Sequence, residues 1–309
     1  MTEMEYRQLG ATGVRVSAIG FGGLGIGGGY GRRDRDEALR TVARALELGV
    51  TFFDTAPSYG RGLREEILGE VLGPVRERVV IATKPEGRKP DFIRRSVEDS
   101  LRRLRTDYID VLQLRDPSPS KLERFSVLET FAALREEGKI RFGSVTLGDA
   151  RQEEEGHLAV DAGFATIQLA YNLVFPNAAR TVLPRAKEAG VGIVARGPLC
   201  KGFLTGRFTG MPADIKADPN FRWWTAEEAQ TLLRLQHDLS FLVRPGERSL
   251  AQAAIQFVLR SEAVSTTIPS VETVTEVDEL VGALGAPRLE NDEIARATAA
   301  VAKYPAVDY

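Results

Sequence analysis

The sequence predicts a (β/α)8 barrel, and three observations lead to this fold class. The chain has 309 residues, a length typical of one α/β barrel with insertions. Short apolar segments alternate with amphipathic segments along most of the chain. Eight of the apolar segments read as strands, and eight parallel strands with helical crossovers close into a barrel more readily than they form an open sheet.

The predicted barrel elements follow one another in regular order. They are strand 18–22, helix 36–48, strand 50–54, helix 65–72, strand 78–84, helix 91–104, strand 108–114, helix 121–136, strand 140–145, helix 152–162, strand 166–169, helix 178–189, strand 191–195, strand 265–268 and helix 273–283.

Three further segments lie outside this series. Residues 6–16 predict a β-hairpin that plugs the lower end of the barrel, and residues 292–302 predict a tail helix. Residues 199–222 predict a long loop, followed by a helix over 226–242, and a loop of this length is typical of a lid or a binding segment. With no internal repeat and no linker, we predict a single domain over residues 1–309.

Composition and charge narrow the classes of function. A hydrophobic content of 43% and a charged content of 27% suit a globular protein with a full core. A net charge of −2 and a pI near 5.9 predict no surface for nucleic acid or for an anionic membrane. No apolar run approaches the ~20 residues that span a bilayer, and the first residues do not resemble a signal peptide, so we expect a cytoplasmic location.

The residues that bind metals best are scarce. The single cysteine, Cys200, cannot form an internal disulfide, which fits a reducing compartment. Cys200, His157 and His237 are scattered along the chain, so we expect no metal site.

One glycine motif suggests a dinucleotide-binding fold, an interpretation that we reject. Gly20, Gly22 and Gly25 match the pattern G-x-G-x-x-G after a strand. That motif needs a helix that begins at its last glycine, whereas here more glycines follow and the helical pattern starts only near Asp34. Because each glycine disfavours a helix by roughly 1 kcal/mol relative to alanine, we predict a flexible loop at the active face instead.

Three residues form a candidate proton-transfer centre. Asp54 ends the second predicted strand, Tyr59 lies in the loop after it, and Lys84 ends the third. Barrel active sites lie at the carboxyl ends of strands, so these side chains should converge. A lysine ammonium beside a phenol favours the phenolate, and an aspartate keeps the lysine charged and oriented. Each residue alone has an ordinary structural explanation, but together they indicate a phenol that protonates a carbonyl oxygen or deprotonates an alcohol.

Several segments resemble the aldo-keto reductase family, in the family's order. They are YRQLGATGVRVSAIGFGGLGIGG, GVTFFDTAPSYGRG, VVIATK, DYIDVLQLRDP, ALREEGKIRFGSV, IQLAYNLV and GPLCKGFLTGRF. The resemblance implies a barrel capped by an N-terminal hairpin, with NADP(H) or NAD(H) bound extended across the strand ends. It also implies reduction of aldehydes or ketones, or the reverse oxidation, with Asp54, Tyr59 and Lys84 matching three of the family's four catalytic positions.

The fourth catalytic position departs from the family. Where the family normally has a histidine, this chain has Arg115. An arginine is permanently charged and offers several donors, so it can stabilise a developing oxyanion or hold an anionic substrate group. The alternative is that Arg115 pairs with Asp116 or another acid, which would weaken the chemistry.

The positions that would contact the cofactor also differ from the family. Gln168 matches the residue that bonds the nicotinamide carboxamide, Val145-Thr146 replaces the usual Ser-Asn pair, and Arg196 stands where many members place an aromatic ring. The full set of expected cofactor contacts is Gly22, Asp54, Thr146, Gln168, Arg196, Gly197, Pro198, Leu199, Gly202, Ser270, Glu272 and Glu276.

The choice between NADH and NADPH stays open. Glu272 and Glu276 stand where the family grips the adenosine 2′-phosphate, usually with a base. A carboxylate suits a ribose hydroxyl and repels a phosphate, which favours NADH. Ser270 and a base from outside this segment would favour NADPH.

The leading functional hypothesis is a carbonyl reductase or an alcohol, sugar or lactol dehydrogenase. The alternatives are reduction of an activated C=C bond and a cofactor-binding regulatory or accessory barrel with little turnover. Substrate selectivity in this architecture lies in loops. The expected substrate-contacting residues are Tyr30, Tyr59, Arg115, Trp223 and Trp224. Whether the protein is a monomer or an oligomer is left open.

Overall fold

The computed structural model describes residues 3–29, 31 and 34–305, and it has eight parallel strands around one barrel. The strands, in the order in which they pair, are β3 (Phe21–Gly22), β4 (Phe52–Asp54), β5 (Val80–Thr83), β6 (Ile109–Arg115), β7 (Ile140–Thr146), β8 (Thr166–Ala170), β9 (Gly192–Arg196) and β10 (Val264–Ile268). The first and last strands meet: the Gly20 N–H donates to Thr267 O at 2.7 Å and the Thr267 N–H donates to Ala18 O at 2.9 Å. The predicted barrel is confirmed.

Helices follow the strands on the outside. They are α1 (Arg35–Glu47), α2 (Leu63–Leu72), α3 (Pro90–Leu104), α4 (Pro119–Arg124), α5 (Val127–Glu136), α6 (Gln152–Asp161), α7 (Val182–Glu188), α8 (Ala226–Asp238), α9 (Leu250–Leu259), α10 (Val274–Val281) and α11 (Asn291–Val301). None of these helices, within the described ranges, is both long and apolar enough to cross a membrane.

Two predicted helices are interrupted. The segment predicted as one helix over 121–136 is split into α4 and α5 at Phe125 and Ser126, and Ser126 adopts a left-handed backbone with φ of +45°. The segment predicted as 178–189 begins as a 3-10 helix, Asn177–Arg180, before α7. Neither interruption contains a glycine or a proline that would have marked it in the sequence.

One barrel helix, α9, is missing from the sequence prediction. Seven of its ten residues are buried and its only polar side chains are those of Gln252 and Gln256, so the segment has no charged face. A sequence signal was nevertheless present. Ser249 and Gln252 form a capping box, in which the Gln252 N–H donates to the Ser249 hydroxyl at 3.2 Å and the Ser249 N–H donates to Gln252 Oε1 at 3.0 Å.

The N-terminal hairpin closes the barrel at the end where the strands begin. It consists of β1 (Tyr6–Gln8) and β2 (Arg15–Ser17), which pair antiparallel. Leu9 and Val16 are fully buried and pack with interior side chains of the barrel. The Ala11 N–H also donates to Gly190 O at 2.7 Å, just before β9. The predicted plug is therefore present.

Alternation along the strands decides which side chains enter the barrel. Phe52 packs in the interior cluster, whereas its neighbour Phe53 packs against the helices. Val80 and Ala82 likewise face inward. Because successive side chains of a strand point to opposite faces, residues two positions further along lie inside as well, near the carboxyl ends. Because Asp54 lies two residues after Phe52, its side chain faces the interior at the carboxyl end of β4.

The tail helix α11 is fixed by a buried ion pair. Arg248 is 2% exposed, and its Nη2 donates to Glu293 Oε1 at 2.5 Å and to Leu242 O at 2.9 Å. Burial alone would raise the pKa of Glu293, but the hydrogen bonds from Arg248 and from the Glu290 N–H lower it to about 2. The carboxylate form is therefore the stabilising one.

This pair predicts a pH-dependent stability. The pKa of Glu293 is lower in the folded protein than the ordinary value of 4.5. The ion pair therefore contributes fully to the free energy of unfolding above pH 4.5, and this contribution is lost as the pH falls toward 2. We expect Glu293→Gln to lower the free energy of unfolding at neutral pH by about 1.5–3 kcal/mol, the range for hydrogen bonds to charged groups. Urea unfolding of both proteins at neutral pH and near pH 3 should show a smaller difference at the acid pH. An equal difference at both would contradict this role.

Candidate active site

Asp54 and Lys84 form a buried ion pair at the carboxyl ends of β4 and β5. Lys84 Nζ lies 2.7 Å from both Asp54 Oδ1 and Asp54 Oδ2, and it donates to Thr55 O at 3.0 Å. Lys84 is 1% exposed and Asp54 3%. The three ammonium protons thus have three acceptors, so the cation is held in one orientation beneath the loop that carries Tyr59.

Two glutamines complete the surroundings of Asp54. Gln113 Nε2 and Gln168 Nε2 both donate to Asp54 Oδ2, at 2.9 Å and 2.8 Å. Gln168 Oε1 accepts from the Thr146 hydroxyl at 3.1 Å. Our sequence prediction omitted Gln113, although its position two residues before Arg115 on β6 places it on the same inner face.

Tyr59 lies above this pair, between two cations. Lys84 Nζ is 5.4 Å and Arg115 Cζ is 5.9 Å from the centroid of the Tyr59 ring. Arg115 is half-buried, and its Nη2 donates to the Ser58 hydroxyl at 3.2 Å. Among the described residues, no carboxylate forms an ion pair with Arg115, so the expected alternative of pairing with Asp116 is not what the structure has.

A cavity of about 400 Å³ contains the predicted catalytic residues. Asp54, Tyr59, Lys84 and Arg115 all line it. Of the expected cofactor contacts, Gly22, Thr146, Gln168, Arg196, Gly197 and Ser270 also line it. Side chains from the ends of seven different strands, or from the loops that follow them, therefore meet at one place, as the alternation rule requires.

A smaller cavity of about 190 Å³ continues from the first. Gly197, Lys201 and Ser270 line both cavities, so together they form one elongated groove across the strand ends. The remaining expected cofactor contacts line the smaller cavity, namely Pro198, Leu199, Gly202, Glu272 and Glu276.

Lys201 and Arg207 are basic residues of this groove that the sequence prediction did not include. Burial lowers the pKa of the Lys201 ammonium, and Asp149 counteracts part of that effect. Arg207 Nη1 lies 3.5 Å from Glu276 Oε1, while Glu276 Oε2 accepts from the Glu272 N–H at 2.6 Å. Both bases lie in GPLCKGFLTGRF, so the quoted segment itself carried the signal.

Arg196 has a different neighbour from the expected one. Its Nη2 donates to Leu147 O at 3.0 Å and forms an ion pair with Asp149. The guanidinium is therefore tied to the loop after β7, although it still lines the larger cavity. Stacking of Arg196 on a nicotinamide ring stays a prediction.

The two tryptophans are placed differently. Trp223 is 51% exposed and lines the larger cavity. Trp224 is fully buried, with its ring 6.0 Å from that of Phe203 at an interplanar angle of 89°. Its side chain belongs to the core below the 199–224 loop and not to the cavity wall, because the T-shaped packing turns it inward. Tyr30, also expected to contact substrate, lies outside the described residues.

The described residues include no group of three or more histidine, cysteine or acidic side chains that could hold a metal ion. Cys200 is buried, and burial raises the pKa of its thiol to about 12. A thiol of this kind is inert, since the thiolate is the reactive form.

Comparison with known proteins assigns nearly the whole chain to one family. The family model described as "Aldo/keto reductase family" matches residues 18–302. The L-galactose dehydrogenase of Arabidopsis thaliana is 32% identical over 298 residues, which cover 92% of this chain and 89% of that protein.

Two solved structures are similar as well. The holo form of an aldo-keto reductase of Bacillus halodurans superposes with a TM-score of 0.79 at 28% identity, covering 99% of this chain and 98% of that one. The glycerol dehydrogenase of Gluconobacter oxydans has a TM-score of 0.79 at 27% identity, and the superposition covers 96% of this chain and 95% of that one. On the family model, the sequence relative and the shared barrel, the chain belongs to the aldo/keto reductase family of NAD(P)-dependent oxidoreductases.

Proposed function

We propose that the protein reduces small polar aldehydes or ketones, or oxidises the corresponding alcohols or sugars, with Tyr59 as the general acid or base. The observation that carries this proposal is the arrangement of Tyr59 between Lys84 and Arg115 in the larger cavity, over the buried pair of Lys84 and Asp54. Both cations are placed to stabilise the negative charge that develops during the reaction.

The elongated groove fits a dinucleotide in an extended form. Its two connected cavities run from Tyr59 to Glu276, with the basic Lys201 where they join. NAD(P)H supplies the hydride when bound. Thr146 and Gln168 would lie at the nicotinamide end, whereas Glu272, Glu276 and Arg207 would lie at the adenosine end.

In carbonyl reduction the protein's own residues supply a proton to the carbonyl oxygen and stabilise the negative charge that forms. The Tyr59 hydroxyl donates its proton to the carbonyl oxygen, and Lys84 and Arg115 stabilise the phenolate that results. Asp54 holds Lys84 in place through both carboxylate oxygens. In alcohol oxidation the same phenol oxygen accepts the proton.

The names of the relatives favour polyhydroxylated substrates. One relative is an L-galactose dehydrogenase and one structural neighbour is a glycerol dehydrogenase. The charged side chains that line the cavity near Tyr59 suit hydroxyl-rich compounds, which offer acceptors to Arg115. We therefore place short sugars and polyols first among the substrates to test.

Replacement of Arg115 tests its part in this proposal. We expect Arg115→Ala to lower kcat with glyceraldehyde by roughly 10²–10³-fold, the usual loss when a donor to a developing oxyanion is removed. Arg115→His restores the family's residue type and should recover part of that loss. Unchanged turnover of Arg115→Ala on aldehydes would remove Arg115 from the mechanism, and turnover of an enone alone would favour C=C reduction.

We also propose that Glu276 favours NADH over NADPH. Its carboxylate would face a 2′-phosphate, and it also occupies Arg207, the base best placed to bind that phosphate. We expect Glu276→Gln to tighten NADPH binding relative to NADH by roughly tenfold, a modest factor because the site is partly exposed to solvent. Fluorescence titration with both cofactors measures the ratio, with Glu279→Gln in the same groove as a matched control. An unchanged ratio would contradict the role of Glu276.

A further inference from the structure

A second cavity, of about 610 Å³, opens next to Tyr59 and takes no part in the chemistry described above. It shares Tyr59 and Leu24 with the catalytic cavity, so one substrate can reach into both. We call it the arginine cavity because its charged lining residues are Arg35, Arg61, Arg64 and Arg222. Among its described lining residues there is no aspartate or glutamate.

Two of the four arginines have no carboxylate partner among the described residues. Arg35 is neutralised, since its Nη2 lies 2.7 Å from Glu70 Oε2. Arg61 and Arg222 form no ion pair with any carboxylate in the described part of the chain. Arg222 instead lies over the Trp223 ring, with its Cζ 4.8 Å from the centroid.

Arg64 adds a third guanidinium group to the wall of the cavity, and the backbone of Gly60 restricts its position. It is 6% exposed, and its guanidinium lies against the backbone of Gly60, where a Cβ would come within 1.6 Å of Nη1. Gly60 also has φ of +61°, a conformation that favours glycine. Tyr59 is the residue before this glycine. The buried guanidinium of Arg64 therefore packs against the turn that carries the Tyr59 phenol.

The helix α2 points its amino end at the same cavity. Leu63 and Arg64, its first two residues, line the wall, and its N-cap residue Gly62 has no side chain to bond the free N–H groups. A helix amino end favours an anion. Glu65 in the first turn is already bound to Arg103 and Thr83, both at 2.7 Å.

We propose that the arginine cavity is an anion subsite that binds the phosphate of a phosphorylated aldehyde or ketone whose carbonyl lies at Tyr59. The proposal rests on the carbonyl chemistry proposed above and names a substrate class for it. Guanidinium groups match phosphate oxygens bidentately, and Arg61 and Arg222 together suit a dianion better than a single carboxylate. The Arg115–Ser58 hydrogen bond lies at the junction, because Ser58 lines this cavity while Arg115 lines the catalytic one.

Turnover of matched substrates tests the subsite. We expect kcat/KM for glyceraldehyde 3-phosphate to exceed that for glyceraldehyde, and succinic semialdehyde to fall between them. In the double variant Arg61→Gln/Arg222→Gln the ratio of the phosphorylated to the uncharged substrate should fall by roughly tenfold to a hundredfold. Arg78→Gln, an exposed arginine at the opposite end of the barrel, is the matched control. Equal kcat/KM for the first two substrates in the unmodified protein overturns the proposal.

Calorimetry separates failure of the subsite from failure of the carbonyl function. Glycerol 3-phosphate should bind to the unmodified protein loaded with oxidised cofactor, and glycerol should bind much more weakly. Loss of that binding in the double variant, but not in Arg78→Gln, supports the subsite even if no carbonyl compound is turned over. Turnover of glyceraldehyde without any binding of glycerol 3-phosphate leaves the carbonyl function standing and overturns the subsite.

Discussion

Tyr59→Phe is expected to lower kcat for carbonyl reduction by roughly 10²–10⁴-fold, the range that a positioned general acid contributes. The phenyl ring preserves the packing between Lys84 and Arg115, so the change removes the transferable proton and little else. Steady-state turnover of short aldehydes with NADH and NADPH measures the effect.

A second tyrosine provides the control for this prediction. Tyr108 lies just before β6, at the end of the barrel opposite the active site, and Arg76 Cζ is 3.9 Å from the centroid of its ring. The control variant is Tyr108→Phe. It should retain ordinary turnover. Cofactor titration of Tyr59→Phe should show a folded, binding-competent protein. Full turnover by Tyr59→Phe would exclude this residue as the proton donor and with it the proposed mechanism.

Lys84→Met is expected to lower both stability and activity. It removes the cation but leaves the Asp54 carboxylate buried, with only Gln113 and Gln168 as donors. Breaking a buried ion pair from one side typically costs about 3–5 kcal/mol of unfolding free energy. Turnover should fall by roughly 10²–10³-fold, because the phenolate loses a neighbouring cation.

A double variant distinguishes the structural part of this effect from the chemical part. Asp54→Asn combined with Lys84→Met leaves no unpaired charge, so urea unfolding should show that most of the lost stability returns. Turnover should stay low, since the cation near Tyr59 is still missing. Recovery of turnover together with stability would show that the pair serves only to hold the fold.

The order of elements could be predicted because each of them leaves a local pattern. Buried parallel strands contain continuous apolar runs, such as residues 79–82 within the predicted strand 78–84. The helix 36–48 has an apolar stripe with Gly49 after its end, where φ is +85°. The prediction failed where that pattern is lost. The helix α9 has no charged face, and the segment around Phe125 and Ser126 has no glycine or proline to mark the interruption.

The candidate site was predictable for the residues that end a strand. Asp54, Lys84 and Arg115 stand at strand ends, and the rule that barrel sites lie there brings them together. The burial of Trp224 beside an exposed Trp223 was not predictable, because adjacent residues in an irregular loop follow no period. The contact between Arg207 and Glu276 was likewise not predictable, since it joins positions far apart in the chain.

By itself, the sequence predicted the (β/α)8 barrel and brought Asp54, Tyr59 and Lys84 to neighbouring strand ends, since strand length, alternation and strand-end position are local properties. The family followed from the resemblance of whole segments such as GVTFFDTAPSYGRG. Only the tertiary structure decided which charges meet. It gave Arg115 a hydroxyl partner instead of Asp116, gathered Arg61, Arg64 and Arg222 around one cavity, and set Arg207 against Glu276. The physical reason is that electrostatic interactions depend on distance and burial, which loops determine and which no local pattern of residues encodes.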